Sequence, residues 1–141
     1  MDIAALVTWI VTALGGFVLL GTWISRGGPR SGTSRLPAPV VFGHFALAAA
    51  GLVVWIIYLA ARAAALAWTA FGLLVPVALL GFAMFARWIP VRRSHAAVPG
   101  RGPEPAERHF PVPVVVAHGL FAVATVVLVL LTALGAGAAP A

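Results

Sequence analysis

The sequence predicts an all-α protein: a four-helix transmembrane bundle made of two parallel-repeat helical hairpins, with both termini outside the cytoplasm. Three observations carry that prediction. Four long stretches hold no charged residue, arginines gather at one set of their ends, and the second half of the chain repeats the first. The chain of 141 residues is 62% hydrophobic and 9% charged, which leaves too little polar surface for a soluble domain.

Each charge-free run exceeds the ~20 residues that a helix needs to cross the hydrocarbon core. The first covers residues 3–25. Asp2 precedes it instead of a basic segment, and it is too long for the apolar region of a signal peptide, so it is expected to stay as a membrane helix. Gly27-Gly28-Pro29 ends it. The second run, 36–61, opens on Pro37 and Pro39, positions where a helix tolerates proline. The third, 63–86, follows a turn near residues 61–64 that has no glycine or proline and is expected to be tight. Pro76 inside this helix predicts a kink. The fourth begins at residue 110 and opens on Pro111 and Pro113. Trp9, Trp55, Tyr58 and Trp68 read as an outer aromatic belt, and Trp23 and Trp88 as an inner one.

The net charge of +6 comes from nine arginines against three acids. Arg26, Arg30 and Arg35 lie between the first two helices. Arg87, Arg92, Arg93, Arg101 and Arg108 lie at or between the facing ends of the third and fourth, and Arg62 alone falls on the other side. The positive-inside rule then places loops 26–38 and 89–109 in the cytoplasm of a multi-pass cell-membrane protein. This placement makes the charge a topology signal instead of a nucleic-acid signal, with attraction to anionic headgroups as a second effect. The absence of cysteine excludes disulfides, thiolate metal sites and iron–sulfur clusters.

The repeat divides the single membrane domain into hairpins 1–62 and 63–141, the second with the longer loop 89–109. Gly16-Phe17 and Trp23-Ile24 match Gly81-Phe82 and Trp88-Ile89 at an offset of 65 residues. The segment from Leu36 to His44 matches that from Phe110 to His118 at an offset of 74, both following the pattern Pro-x-Pro-Val-Val-x-x-His. Each unit crosses the membrane twice, so the units insert in the same direction and the repeat is parallel. Equivalent residues then lie at equal depth. If the second and fourth helices face each other across the axis, His44 and His118 point at one object from opposite sides.

An ionisable side chain inside a membrane segment is a functional-site candidate by default. His44 and His118 lie five residues beyond Pro39 and Pro113, roughly 7–8 Å into their helices and near the cytoplasmic edge of the hydrocarbon layer. Leu47, Ala48 and Gly51 share the face of His44, and Phe121, Ala122 and Thr125 that of His118. Small residues there let helices pack closely or leave a slot for a flat macrocycle. Two readings stand. In one, His44 and His118 are the axial ligands of one haem b, with Arg35, Arg108 and His109 placed to meet its propionates. In the other, each histidine bonds a neighbouring helix. A bare two-histidine transition-metal site comes third, for want of carboxylate or thiolate ligands.

His95 and His109 lie in the second loop, where a histidine is ordinarily solvated. Glu104 and Glu107 are read as balancing that loop's arginines, with nothing to fix their geometry as a catalytic pair.

With His44 and His118 on two helices of a four-helix membrane bundle, the chain resembles small membrane-bound b-type cytochromes. The resemblance covers the architecture and the two histidine positions. It implies haem b and electron transfer with a quinone or a protein partner, making the chain at most an electron-transfer or oxidoreductase subunit. Many such proteins carry four histidines and two haems, whereas the outer half of this chain has no histidine, which removes a transmembrane two-haem wire.

The competing expectation is a cofactor-free accessory or scaffold subunit of a larger membrane complex. The expected partners are the lipid bilayer, a membrane protein or a second copy of the chain, and a quinone, but not nucleic acid. A transporter has little support because Asp2, Glu104 and Glu107 all lie outside the apolar runs, and no nucleophile–base set marks an enzyme of soluble substrates.

Overall fold

In the computed structural model, which describes residues 1–94 and 104–135, the chain forms helices α1 (Asp2–Ser25), α2 (Ala38–Ala61), α3 (Ala64–Arg93) and α4 (Val112–Ala133). A short 3-10 turn, Ala106–His109, precedes α4, and no strand occurs among the described residues. All four α helices are long and apolar enough to cross a membrane, as in a multi-pass membrane protein. The shortest, α4 with 22 residues, spans about 33 Å at 1.5 Å per residue, more than the ~30 Å hydrocarbon core. His95 and Arg101 fall outside the described residues.

Local chemistry explains the helix ends. Pro37 and Pro111 are the extended N-caps of α2 and α4, and their carbonyls accept from Val40 and Val41, and from Val114 and Val115. Pro39 and Pro113 sit in the first turn, which needs no backbone donor. Helix α1 stops in a Schellman motif: Gly27 has φ 78°, its N–H reaches the Ile24 carbonyl, and that of Gly28 reaches Trp23. The α2–α3 turn is as tight as expected, with Arg62 in the left-handed region at φ 56° and its guanidinium paired with Asp2. Helix α3 runs through Pro76 and Pro90 to Arg93, so residues 89–93 are helix and not loop.

The helices form a square in which α1 packs along α4 and α2 along α3, with smaller contacts between α1 and α2 and between α3 and α4. Helices α2 and α4 therefore occupy one diagonal, and α1 and α3 the other. Both long loops meet at one end of the bundle, where Ser34 and Arg35 bond Glu107, while the Asp2–Arg62 pair closes the opposite end. Hence the two repeats run in the same direction.

Several core positions follow the repeat. Ala5 and Ala70, Trp9 and Leu74, and Trp55 and Val129 are buried, related pairwise by the offsets of 65 and 74. Gly51 and its counterpart Thr125 are buried as well; the Trp9 indole lies against Gly51, and Thr125 bonds Thr8. At the loop end a second cluster gathers around Trp23, Leu36 and Ala106.

These positions correct the aromatic-belt expectation. Trp23 and Trp55 are 1% and 0% exposed, and Trp9 and Trp88 are buried too, whereas Trp68 faces outward at 46%. In an apolar medium the indole N–H also needs a partner. That of Trp55 reaches the Asp2 carbonyl, that of Trp23 the Ser34 hydroxyl, and that of Trp88 the Glu107 carbonyl.

Glu107 departs from expectation in the same way. Glu104 pairs with Arg108, as a balancing acid should, but Glu107 is 0% exposed. Its carboxylate accepts the Ser34 hydroxyl at 2.9 Å and the Arg35 backbone N–H at 2.6 Å, so it ties the two loops together. Glu107→Ala removes the shared acceptor of two part-buried bonds, with only the Ser34 hydroxyl keeping another acceptor in the Leu36 carbonyl, and is expected to cost about 1–3 kcal/mol, read as an earlier midpoint in a reversible SDS-unfolding titration in mixed micelles. Glu104→Ala removes one exposed i,i+4 pair and is expected to cost about 0.5 kcal/mol or less.

Candidate functional site

His44 and His118 are each the seventh residue of their helices, matched in position by the paired prolines that start α2 and α4. Because those helices share a diagonal, both side chains enter the same central space. The two imidazole ring centres lie 6.3 Å apart, with the rings inclined at 55°.

Each ring is held by a backbone carbonyl of a neighbouring helix. Nδ1 of His44 lies 2.9 Å from the Val77 oxygen on α3, and Nδ1 of His118 lies 2.9 Å from the Thr12 oxygen on α1. Thr12 and Val77 are themselves repeat equivalents, at the offset of 65, so the two bonds are one bond made twice. A carbonyl oxygen only accepts, so Nδ1 carries the hydrogen in both rings. In the neutral imidazole, Nε2 is then the nitrogen with a free lone pair. Among the described residues neither ring makes a second hydrogen bond.

Both carbonyls lie near the midpoints of their helices, so α1 and α3 extend well past the start of α2 and α4 at the loop end. The pair consequently sits deeper in the bundle than the distance from Pro39 and Pro113 implies. Outward of it the core is closed, since the notch at Gly51 holds Trp9 and Thr125 is engaged by Thr8. Gly51 and Thr125 thus provide packing, and no slot for a macrocycle is left beside them.

The remaining candidate residues stay in the loop layer. Arg108 holds Glu104 at 3.2 Å and caps the end of α3 through the Val91 and Ser94 carbonyls. Arg35 and His109, equivalent in the repeat, are exposed, and among the described residues neither side chain makes a hydrogen bond or ion pair. Arg87 donates to the Arg35 carbonyl. A groove of about 440 Å³ between α1 and α4, lined by Leu14, Gly15, Val114, Ala117 and Phe121 among others, reaches His118 from the outer surface.

The donor set is therefore two imidazoles with fixed tautomers. No cluster of three or more His, Cys, Asp or Glu side chains occurs among the described residues. A bare transition-metal ion ordinarily takes four or more ligands, whereas a macrocycle that brings its own equatorial nitrogens needs only two from the protein. His44 and His118, with ring centres 6.3 Å apart, are the two residues that would hold such a group.

The partner carbonyls of Thr12 and Val77 were not apparent as site groups, because a backbone acceptor leaves no mark on residue type. The repeated glycines four residues further on were the available signal. Comparison with protein-family models, with curated proteins and with solved structures finds no match to this chain.

Because Thr12 and Val77 lie inside α1 and α3 and keep their own helical hydrogen bonds, removing either ring leaves no carbonyl unpaired. His44→Ala and His118→Ala are each expected to cost about 0.6 kcal/mol, and at most about 1.7, in the same SDS titration. A larger loss in either variant would show that the histidines act mainly as interhelical glue.

Proposed function

We propose that the chain is an integral membrane protein that binds one haem b through His44 and His118 and exchanges electrons with a quinone or a protein partner. The observation that carries this reading is the pair of imidazoles 6.3 Å apart, each with Nδ1 spent on a backbone carbonyl. A histidine that ligates a metal through one nitrogen characteristically donates the other N–H to such a carbonyl, which sets its tautomer and orientation. Haem, when bound, supplies one-electron chemistry.

The chain's own residues supply the rest. His44 and His118 present two neutral donors from opposite helices, and the Trp9–Trp55 layer excludes water from the outer side. Arg35 and His109 offer cationic or donor groups at the loop end for propionates. The arginine distribution supports an orientation with loops 26–38 and 89–109 in the cytoplasm and both termini outside.

Visible absorption of the chain purified from its native membrane tests the cofactor. The expected result is a low-spin reduced-minus-oxidised difference spectrum that is lost in His44→Ala and in His118→Ala while both variants remain folded. A colourless native preparation that co-purifies with stoichiometric partners would replace this reading with that of a cofactor-free accessory subunit. The chain has no cysteine, so Arg30→Cys provides a single label for orientation. An impermeant maleimide is expected to react with it in inverted vesicles and not in intact cells.

A further inference from the structure

Glycine is a poor helix former, yet both repeats carry one in the same place near the middle of a membrane helix. Gly16 follows Thr12 by four residues and Gly81 follows Val77 by four. Each glycine N–H is therefore the helical partner of the carbonyl that a histidine shares. A Cβ at Gly16 would lie 3.2 Å from Cε1 of His118, and one at Gly81 would lie 3.3 Å from Cε1 of His44. Carbon atoms in contact ordinarily rest about 3.5–4.0 Å apart.

The rings have no easy retreat from such a methyl group. Backing away from Gly16 means backing away from α1, the helix that also supplies the Thr12 oxygen, so relief of the contact lengthens the 2.9 Å bond. The same opposition holds between Gly81 and the Val77 oxygen for His44. By contrast, Cβ atoms at Gly21 on α1 and at Gly72 on α3 would find nothing within 4 Å.

We infer that Gly16 and Gly81 are positioning residues, whose missing side chains let each imidazole seat Nδ1–H on the carbonyl four residues earlier and so leave Nε2 as the unprotonated, ligand-ready nitrogen. The inference rests on the reading of His44 and His118 as ligands, but its first readout needs no bound group. Thr12 and Val77 contribute through backbone atoms that substitution does not remove. The glycines are therefore the positions through which the tautomer is open to mutation.

The test is nitrogen-15 NMR of the imidazoles in the full chain, labelled on histidine and reconstituted in lipid bilayers, with signals assigned through His44→Ala and His118→Ala. Both rings of the native chain are expected to be in the Nδ1–H form. Gly16→Ala is expected to introduce the Nε2–H tautomer at His118 and leave His44 unchanged, and Gly81→Ala to do the reverse. Gly16→Leu and Gly81→Leu enlarge the effect where they insert, and the alanine pair decides where they do not. Gly21→Ala and Gly72→Ala are expected to leave both rings as they are.

Unchanged tautomers in Gly16→Ala and Gly81→Ala, or equal changes at both rings in either variant, overturn the inference. In haem-containing preparations the same two variants are expected to shift the low-spin spectrum toward high spin. A haem-free native chain would sink the proposed function and leave the tautomer result standing. Unchanged tautomers would do the opposite.

Discussion

Lipid removes the force that packs a soluble bundle. A side chain gains nothing by leaving hydrocarbon for another hydrocarbon side chain, so membrane helices are held by close shape match and a few polar bonds. This chain meets that constraint with one buried cluster built on two pairs of repeat-equivalent positions, Trp9 with Leu74 and Trp55 with Val129. In each pair a tryptophan in the first repeat stands opposite a smaller side chain in the second, where strict symmetry would place two equal ones. Gly51 admits the edge of Trp9, and Arg62 ties together, through Asp2, the helix ends opposite the Ser34–Glu107 contact. The square arrangement follows from this cluster, and with it the diagonal that carries both histidines.

At the other end the polar bonds predominate. A buried carboxylate is tolerable only where its acceptor sites are used, and Glu107 meets this requirement with the Ser34 hydroxyl and the Arg35 N–H. Trp23 reaches Ser34 and Trp88 reaches the Glu107 carbonyl, so the loop-end tryptophans of the two repeats are hooked to the two partners of one inter-loop bond. The loops are thereby locked to each other across the bundle axis. This fixes where α2 and α4 begin, and so the height at which the seventh residue of each enters the interior.

Much of this was legible from residue order alone. Charge-free runs and the paired prolines marked the helices. Two crossings per repeat made the repeat parallel, which is why His44 and His118 were expected at one depth. Three features were hidden. Tryptophan near a helix end reads the same whether it faces headgroups or core, and the faint clue was that Trp9 and Trp55 align with Leu74 and Val129, which no belt requires. Glu107 stood among arginines in a loop, where burial has no sequence signature; its repeat counterpart is Thr33. The extension of α3 to Arg93 was masked by Pro90, which ordinarily argues for a stop, but Arg108 caps the helix end at Val91 and Ser94.

The histidine bonds tolerate divergence between the repeats because they are made to backbone. Thr12 and Val77 have different side chains, yet each offers the same carbonyl at the same distance of 2.9 Å. The walls around the two rings have no such protection, and they differ. Thr8 and Thr125 join hydroxyls across the α1–α4 seam, while Leu73 and Gly51 hold the equivalent places between α2 and α3. Gly15 lies beside His118 and borders the groove from the outer surface, whereas its counterpart is Leu80. Polarity and access can therefore differ between the rings while the bonds that orient them stay the same. Two chemically identical donors are thereby set against one partly polar wall and one apolar wall, an asymmetry that a group held between them would feel.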